Sequence, residues 1–246
     1  VADGVIDSDG AVQAELYQGT SMSSPHTAGA GALLSAVFPD WTVAQVKSAL
    51  MLTAEHDNLL KEDMQTPADL FDFGAGRVDL EMAALTGLTM DETYENMVAA
   101  NPSEGGDMKT LNIPSLYNSL CVGDCSWTRT FTSVAQITAT YNAVAPEWIT
   151  VEPATFEIAP GATQVVTFTA DVTGLTADEW QFARVYFETD AVLEAPYDYL
   201  FLPLILNGTG TPSEGTEPTE SFIILDRPLP DLAVPVAVLP VGCNIP

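Results

Sequence analysis

A serine hydroxyl becomes a useful nucleophile where developing negative charge is stabilised, and the start of an apolar helix offers that through unpaired backbone N–H groups and the positive end of the helix dipole. Gly19-Thr20-Ser21-Met22-Ser23-Ser24-Pro25-His26 leads directly into Thr27-Ala28-Gly29-Ala30-Gly31-Ala32-Leu33-Leu34-Ser35-Ala36-Val37-Phe38. This places Ser21 on the first turn of such a helix, where an oxyanion beside it is favoured. The same hydroxyls have a second reading as helix caps, the ordinary use of Ser and Thr ahead of an apolar run. Pro25 fits a position near a helix start under either reading, because deeper in a helix its ring and missing N–H cost about 3 kcal/mol. A hydrolase nucleophile elbow is excluded: it needs Gly two residues to either side of the serine, and residue 23 is Ser23.

The chain holds two histidines, His26 and His56. His26 lies five residues along the helix of Ser21, and His56 follows the next helix, where it reads as an ordinary surface or helix-end residue. Asp3, Asp7 and Asp9 with Gly4 and Gly10 form an acidic, turn-rich opening. It reads as a solvated turn or as oxygen ligands for Ca²⁺, with spacing that matches no complete loop motif. Cys121 and Cys125 are close enough in sequence for a small disulfide loop, and Cys243 is left over. No second Cys or His pair completes a four-ligand metal site, so no metal ligand and no cofactor are assigned.

The elements that position Ser21 can be read around it. Ala14 to Gln18 is expected as a short strand feeding the serine, followed by the helix from about Ser21 to Phe38, ended by Pro39. That helix is apolar on every side and rich in Ala and Gly, the pattern of a helix built for burial. Thr42-Val43-Ala44-Gln45 has the form of a capping box, predicting a second helix from Val43 to about Thr53 with Val46, Ala49, Leu50 and Thr53 on its buried face. A polar, irregular stretch runs from Glu55 to Asp72, and a third short helix is expected over Asp79 to Leu85 with Asp79 as N-cap and Gly87 as stop. Gly74 and Gly76 suggest a tight turn against the Ser21 helix, or ordinary loop glycines.

Beyond Gly87 the composition changes. Residues 89–108 are acidic and contain Gly105-Gly106, and read as a connection. From Leu111 to about Asn207 the pattern is β, with strands expected at Trp127 to Thr132, Gln136 to Tyr141, Gln164 to Val172, Arg184 to Thr189 and Tyr197 to Leu206. Pro160-Gly161 marks a turn. About seven short strands in roughly a hundred residues predict an antiparallel sandwich. Trp148 and Trp180 read as core or edge residues. Gly208 to Ser221 is a low-complexity linker, and Asn207-Gly208-Thr209 is an N-glycosylation sequon.

Composition excludes several classes of partner. The 246 residues contain seven Lys plus Arg against 34 Asp plus Glu, for a net charge of −27. Nucleic acid and anionic membranes need clustered positive charge, which such a chain lacks. A strongly acidic surface favours solubility and suits a secreted or salt-tolerant protein. The apolar tail from Phe222 to Pro246 is broken by prolines after Arg227, so no membrane span is expected.

The octapeptide Gly19 to His26 resembles the nucleophile motif of the subtilases, the subtilisin-like serine peptidases, with Ser21 on the catalytic serine. Trp41-Thr42, Gln45-Val46-Lys47-Ser48-Ala49-Leu50-Met51, Thr53-Ala54 and Phe73-Gly74-Ala75-Gly76-Arg77-Val78-Asp79 resemble the segments that follow that serine in the family. The resemblance implies an acyl-enzyme on Ser21, a polypeptide substrate and no cofactor. It implies that His26 is the family's non-catalytic histidine. It also places the Asp, the His and the oxyanion Asn, in an order that puts Ser last, upstream of residue 1 in a missing N-terminal half. Leu111-Asn112-Ile113-Pro114-Ser115, Trp127-Thr128-Arg129-Thr130-Phe131-Thr132 and Pro160-Gly161 resemble the fibronectin type III-like domain that follows many subtilase peptidase domains.

The expected fold is therefore α/β, the C-terminal portion of a subtilisin-like domain with an incomplete parallel sheet, followed by an all-β fibronectin type III-like sandwich. Its expected organisation is a peptidase portion at 1–88, a connection at 89–108, the sandwich at 109–208, and a linker with the start of a further domain at 209–246. The expected function is that of the C-terminal fragment of a secreted serine endopeptidase, inactive alone. Two alternatives stand beside it: a degenerate, non-catalytic subtilase, and a β-sandwich binding or spacer module. One face of the Ser21 helix is expected to meet solvent or another chain.

Overall fold

A residue pattern with period two makes a strand that is buried on one face only. The strand β5 (Asp124–Ser133) follows it, burying Cys125, Trp127, Phe131 and Ser133 and exposing Asp124, Ser126 and Thr128. Arg129 falls on the inward register and is 2% exposed. The computed structural model describes residues 2–6, 9–10, 12–15, 19–61, 63–176, 179–189 and 199–209. The expected linker and tail from residue 210 onward, Cys243 within it, and Asp7 of the opening turn lie outside the described residues.

The chain begins with β1 (Ala2–Ile6) and β2 (Val12–Glu15), then α1 (Thr20–Val37), α2 (Val43–Leu52), α3 (Leu70–Phe73) and α4 (Leu80–Ala84). The remnant of a parallel sheet expected here is instead an antiparallel pair, β1 with β2. The reason is geometric, because a connection this short cannot carry the crossover that parallel strands need. Of the strand expected over Ala14 to Gln18, Ala14 and Glu15 lie in β2, which starts at Val12, and residues 16–18 lie outside the described residues.

Capping chemistry sets the next two helices. Thr42 accepts from the Gln45 backbone N–H at 3.1 Å while Gln45 Oε1 accepts from the Thr42 N–H at 3.0 Å, the reciprocal box the sequence predicts. Asp79 caps α4 by accepting from the Met82 N–H at 3.0 Å. Helices α1, α2 and α4 bury Ala30, Leu34, Val46, Leu50 and Ala83 together. Gly76 corrects an expectation. Its turn packs against the end of α2, not against α1: a Cβ there would lie 2.4 Å from the Glu55 carbonyl oxygen, and its φ is +128°. Paired backbone bonds between Glu55 and Arg77 at 2.8 and 2.7 Å impose that approach.

Residues 89–108, expected as a connection, contain α5 (Tyr94–Ala99) and a 3₁₀ turn, Pro102–Glu104. Just ahead, β3 (Leu88–Thr89) pairs antiparallel with β5. The later strands are β4 (Leu116–Val122), β6 (Ala139–Val144), β7 (Ile149–Glu152), β8 (Thr155–Ile158), β9 (Thr163–Asp171), β10 (Trp180–Thr189) and β11 (Tyr199–Thr209). They form two sheets, β4-β11-β10-β6-β8 and β3-β5-β9-β7. All pairings within them are antiparallel except β11 with β4, which is parallel.

The two sheets meet around Phe187 of β10, whose ring lies 5.3 Å from Phe131, 5.8 Å from Phe156 and 6.2 Å from Phe168. Offset and edge-on aromatic contacts of this kind each add about 1 kcal/mol beyond burial. Leu52 of α2, Leu88 and Met90 belong to the same buried cluster, so the end of α2 reaches into the core of the sheets, beside the separate cluster that α1, α2 and α4 form. Cys121 and Cys125 form a disulfide across the β4–β5 turn, with Cα atoms 5.8 Å apart. Asn207 of the sequon sits within β11 opposite Trp180, with its Oδ1 buried, so the site is folded into the sheet. Among the described residues no helix is long and apolar enough to cross a membrane.

Candidate active site

Ser21 is the second residue of α1 and is exposed. Gly19 is the N-cap and provides no side-chain cap. Its φ of +124° needs glycine although the space around it is open. The backbone N–H groups of Met22 and Ser23 both turn back to the Gly19 carbonyl, at 2.9 and 3.2 Å. Those of Thr20 and Ser21 therefore stand at the unpaired start of the helix, beside the serine hydroxyl. Pro25 is the sixth residue of α1, within the helix, and it lacks the N–H that would have returned to the Ser21 carbonyl.

The other hydroxyls of the octapeptide serve the helix itself. Ser23 Oγ donates to the Gly19 carbonyl at 3.4 Å and Thr27 Oγ1 to the Ser23 carbonyl at 3.1 Å. His26 Nδ1 donates to the Met22 carbonyl at 2.5 Å, which ties its ring to the outside of α1. Among the described residues no imidazole or carboxylate hydrogen-bonds the Ser21 hydroxyl, so the structure does not bring Ser21 and either histidine together.

His56 is where sequence reading failed most clearly. Expected at the surface, it is 3% exposed and lies against Tyr186 of β10. The partners that bury it, Arg184 and Tyr186, are distant in sequence, so no local pattern announces them. Arg129 was legible in principle, since Cys125, Trp127, Arg129 and Phe131 share one period-two face. Its guanidinium donates to the carbonyls of Ile113, Lys109, Thr128 and Ser115 at 2.7 to 3.0 Å. Burial lowers its pKa to about 10.

One face of α1 meets solvent, as expected. Only Ala30 and Leu34 are buried, while Leu33 is 58% and Val37 62% exposed. Among the described residues no group of three or more His, Cys, Asp or Glu is placed to hold a metal ion.

A serine at an uncapped helix start, on a helical unit joined to two β-sheets through the end of α2, is the arrangement these residues define. Residues 8–76 match the family model described as the subtilase family. Subtilisin-like protease SBT3.11 of Arabidopsis thaliana is 35% identical over 157 residues, covering 52% of this chain and 21% of that protein. Subtilisin-like protease SBT1.7 of the same plant is 33% identical over 197 residues, covering 65% of this chain and 26% of that protein. The solved structure of tripeptidyl peptidase 2 aligns with a TM-score of 0.40 and 16% identity, covering 76% of this chain and 16% of that one. The chain is thus similar to the subtilase family over residues 8–76, and to these plant subtilisin-like proteases over about half to two thirds of its own length. It spans about a fifth to a quarter of the length of these curated relatives.

Proposed function

We propose that this chain is the C-terminal part of a serine endopeptidase in which Ser21 attacks the scissile peptide carbonyl. The observation that carries this reading is the family match across residues 8–76, which includes the octapeptide at the start of α1. In the reading, a histidine, an aspartate and an oxyanion asparagine come from sequence outside these residues. The histidine takes the Ser21 proton and returns it to the leaving amine, and the aspartate orients the ring. The Ser21 backbone N–H, at the unpaired helix start, is one oxyanion donor and the asparagine is the other. The chemistry requires no metal or organic cofactor.

The exposed apolar face of α1, with Leu33 and Val37, is in this reading the surface against which the rest of the peptidase domain packs. Residues 1–246 alone are then inactive. The two β-sheets are read as a fibronectin type III-like module appended to the peptidase. A Cys121–Cys125 disulfide and a net charge of −27 fit a secreted setting. The test is labelling of the full-length protein with a fluorophosphonate, followed by peptide mapping. The label is expected on Ser21 and absent from Ser21→Ala; a label on another serine with none on Ser21 overturns the assignment. Hydrolysis of peptides by residues 1–246, abolished by Ser21→Ala, overturns the expectation of inactivity.

A further inference from the structure

His56 sits in a seam between two parts of the chain. Residues 54–57 leave the end of α2 and lie across β10. The imidazole Nδ1 is 3.2 Å from the Ala54 carbonyl oxygen and Nε2 is 3.3 Å from Tyr186 Oη. The two rings lie with centroids 5.7 Å apart. Two residues back along β10, Arg184 donates to the His56 carbonyl at 3.4 Å and pairs with Asp57 at 3.5 Å. Its guanidinium carbon stands 5.5 Å from the centre of the Phe73 ring. His56, Arg184 and Tyr186 thus join residues 54–57 and the end of α3 to β10, beside Phe71 of α3, whose ring stands edge-on to Trp180 and Phe182 at 5.0 and 5.2 Å.

Beside this seam is a cleft of about 610 Å³. Ala68, Leu70 and Phe73 form one wall, and Val144, Phe182 and Tyr186 form the other. Arg184 and Tyr186 therefore line the cleft while holding His56. Release of residues 54–73 from β10 would move one wall away from the other.

The contacts of His56 suit a neutral ring. Nδ1–H donates to the Ala54 carbonyl, leaving Nε2 to accept from the Tyr186 hydroxyl. A second proton on Nε2 puts a positive charge in a buried position facing the Arg184 guanidinium. Among the described residues, Asp57 and Glu55 oppose that cost. Asp57 is 3.8 Å from Nε2 but its side chain is 60% exposed and shared with Arg184, and Glu55 is already paired with Arg77. A screened, shared carboxylate does not compensate a buried cation.

We propose that His56 is an acid-sensitive latch, whose protonation releases residues 54–73 from β10 and widens the cleft between them. Burial chiefly, with Arg184 adding to it, holds the imidazole below its ordinary value of 6.5; the bond to Ala54 and the charges of Asp57 and Glu55 act in the other direction. The released segment then binds the proton more readily than the closed one. Closure is therefore complete above about pH 6.5 and weakens as pH falls below it, the direction required when the open state takes up the proton.

Amide hydrogen exchange on the 246-residue chain, corrected for intrinsic rates, tests this together with a proton NMR titration of the two histidines. Exchange over residues 54–73, relative to β5 and β9, is expected to accelerate as pH falls, by at most about tenfold per pH unit, the limit for one proton. The His56 signal is expected to titrate below the ordinary histidine value, and His56→Gln to remove the pH dependence of exchange. Exchange independent of pH, a His56 midpoint at or above the ordinary value, or the same acceleration in His56→Gln overturns the proposal. If His56→Gln does not fold, the wild-type titration and exchange profile decide it alone.

Discussion

Ser48 Oγ accepts a hydrogen bond from the Met90 backbone N–H at 2.8 Å, across the junction of α2 with the strand that opens the second sheet. Both residues are buried, Ser48 at 1% and Met90 at 0% exposure. Gln45 Nε2 donates to Thr89 Oγ1 at 3.3 Å and Thr42 Oγ1 to Asp91 at 2.6 Å, so one helix face stitches α2 to residues 89–91. Ser48→Ala leaves the Met90 N–H buried without an acceptor. It is expected to cost about 1–3 kcal/mol, read from the urea midpoint with an unchanged m-value.

Arg129 occupies an inward position of β5 that alternation would give to a large apolar residue. Arg129→Met keeps an unbranched chain but takes away the guanidinium donors of the Lys109 and Ser115 carbonyls, while Ile113 keeps only its bond from the Ser115 N–H. We expect a loss of about 3 kcal/mol or more by urea unfolding, with faster amide exchange over residues 109–115. A near-neutral outcome would mean that those carbonyls find water.

Two glycines of positive φ separate dihedral strain from steric exclusion. Gly161, at φ +74°, has open space where a Cβ would go, and Gly161→Ala is expected to cost about 1–2 kcal/mol. At Gly76 a Cβ meets the Glu55 carbonyl oxygen at 2.4 Å as well. Gly76→Ala should therefore be clearly the more damaging of the pair, by about 1 kcal/mol or more in thermal or urea unfolding. Equal costs would show that the Glu55–Arg77 bridge yields without penalty.

Local rules explain what could be read in advance. Thr42 with Gln45, and Asp79 ahead of Leu80, carry their capping chemistry within a few residues, so α2 and α4 were legible. The strand periods of β5 and β9 were legible for the same reason. The expected strand at Gln136 begins only at Ala139, where pairing with Ile158 starts, because register belongs to the partner strand. His56 shows the limit most directly. Its burial depends on Tyr186, a residue 130 positions away, and only tertiary packing brings the two together. The octapeptide announced Ser21, but no chemical partner for its hydroxyl lies among the described residues.

The parallel pairing of β4 with β11 has a mechanical consequence. The five-stranded sheet is entered through β4 and left through β11, which lie side by side and point the same way, from Leu116 opposite Leu204 to Val122 opposite Thr209. Tension applied between the start of β4 and the end of β11 pulls the two strands in opposite directions along their length. The load then falls on the whole ladder in shear, and its hydrogen bonds must fail together instead of peeling one after another. In that direction the sheet resists stretching as a clamp, and the force it bears is set by the rate of unfolding and not by its equilibrium stability.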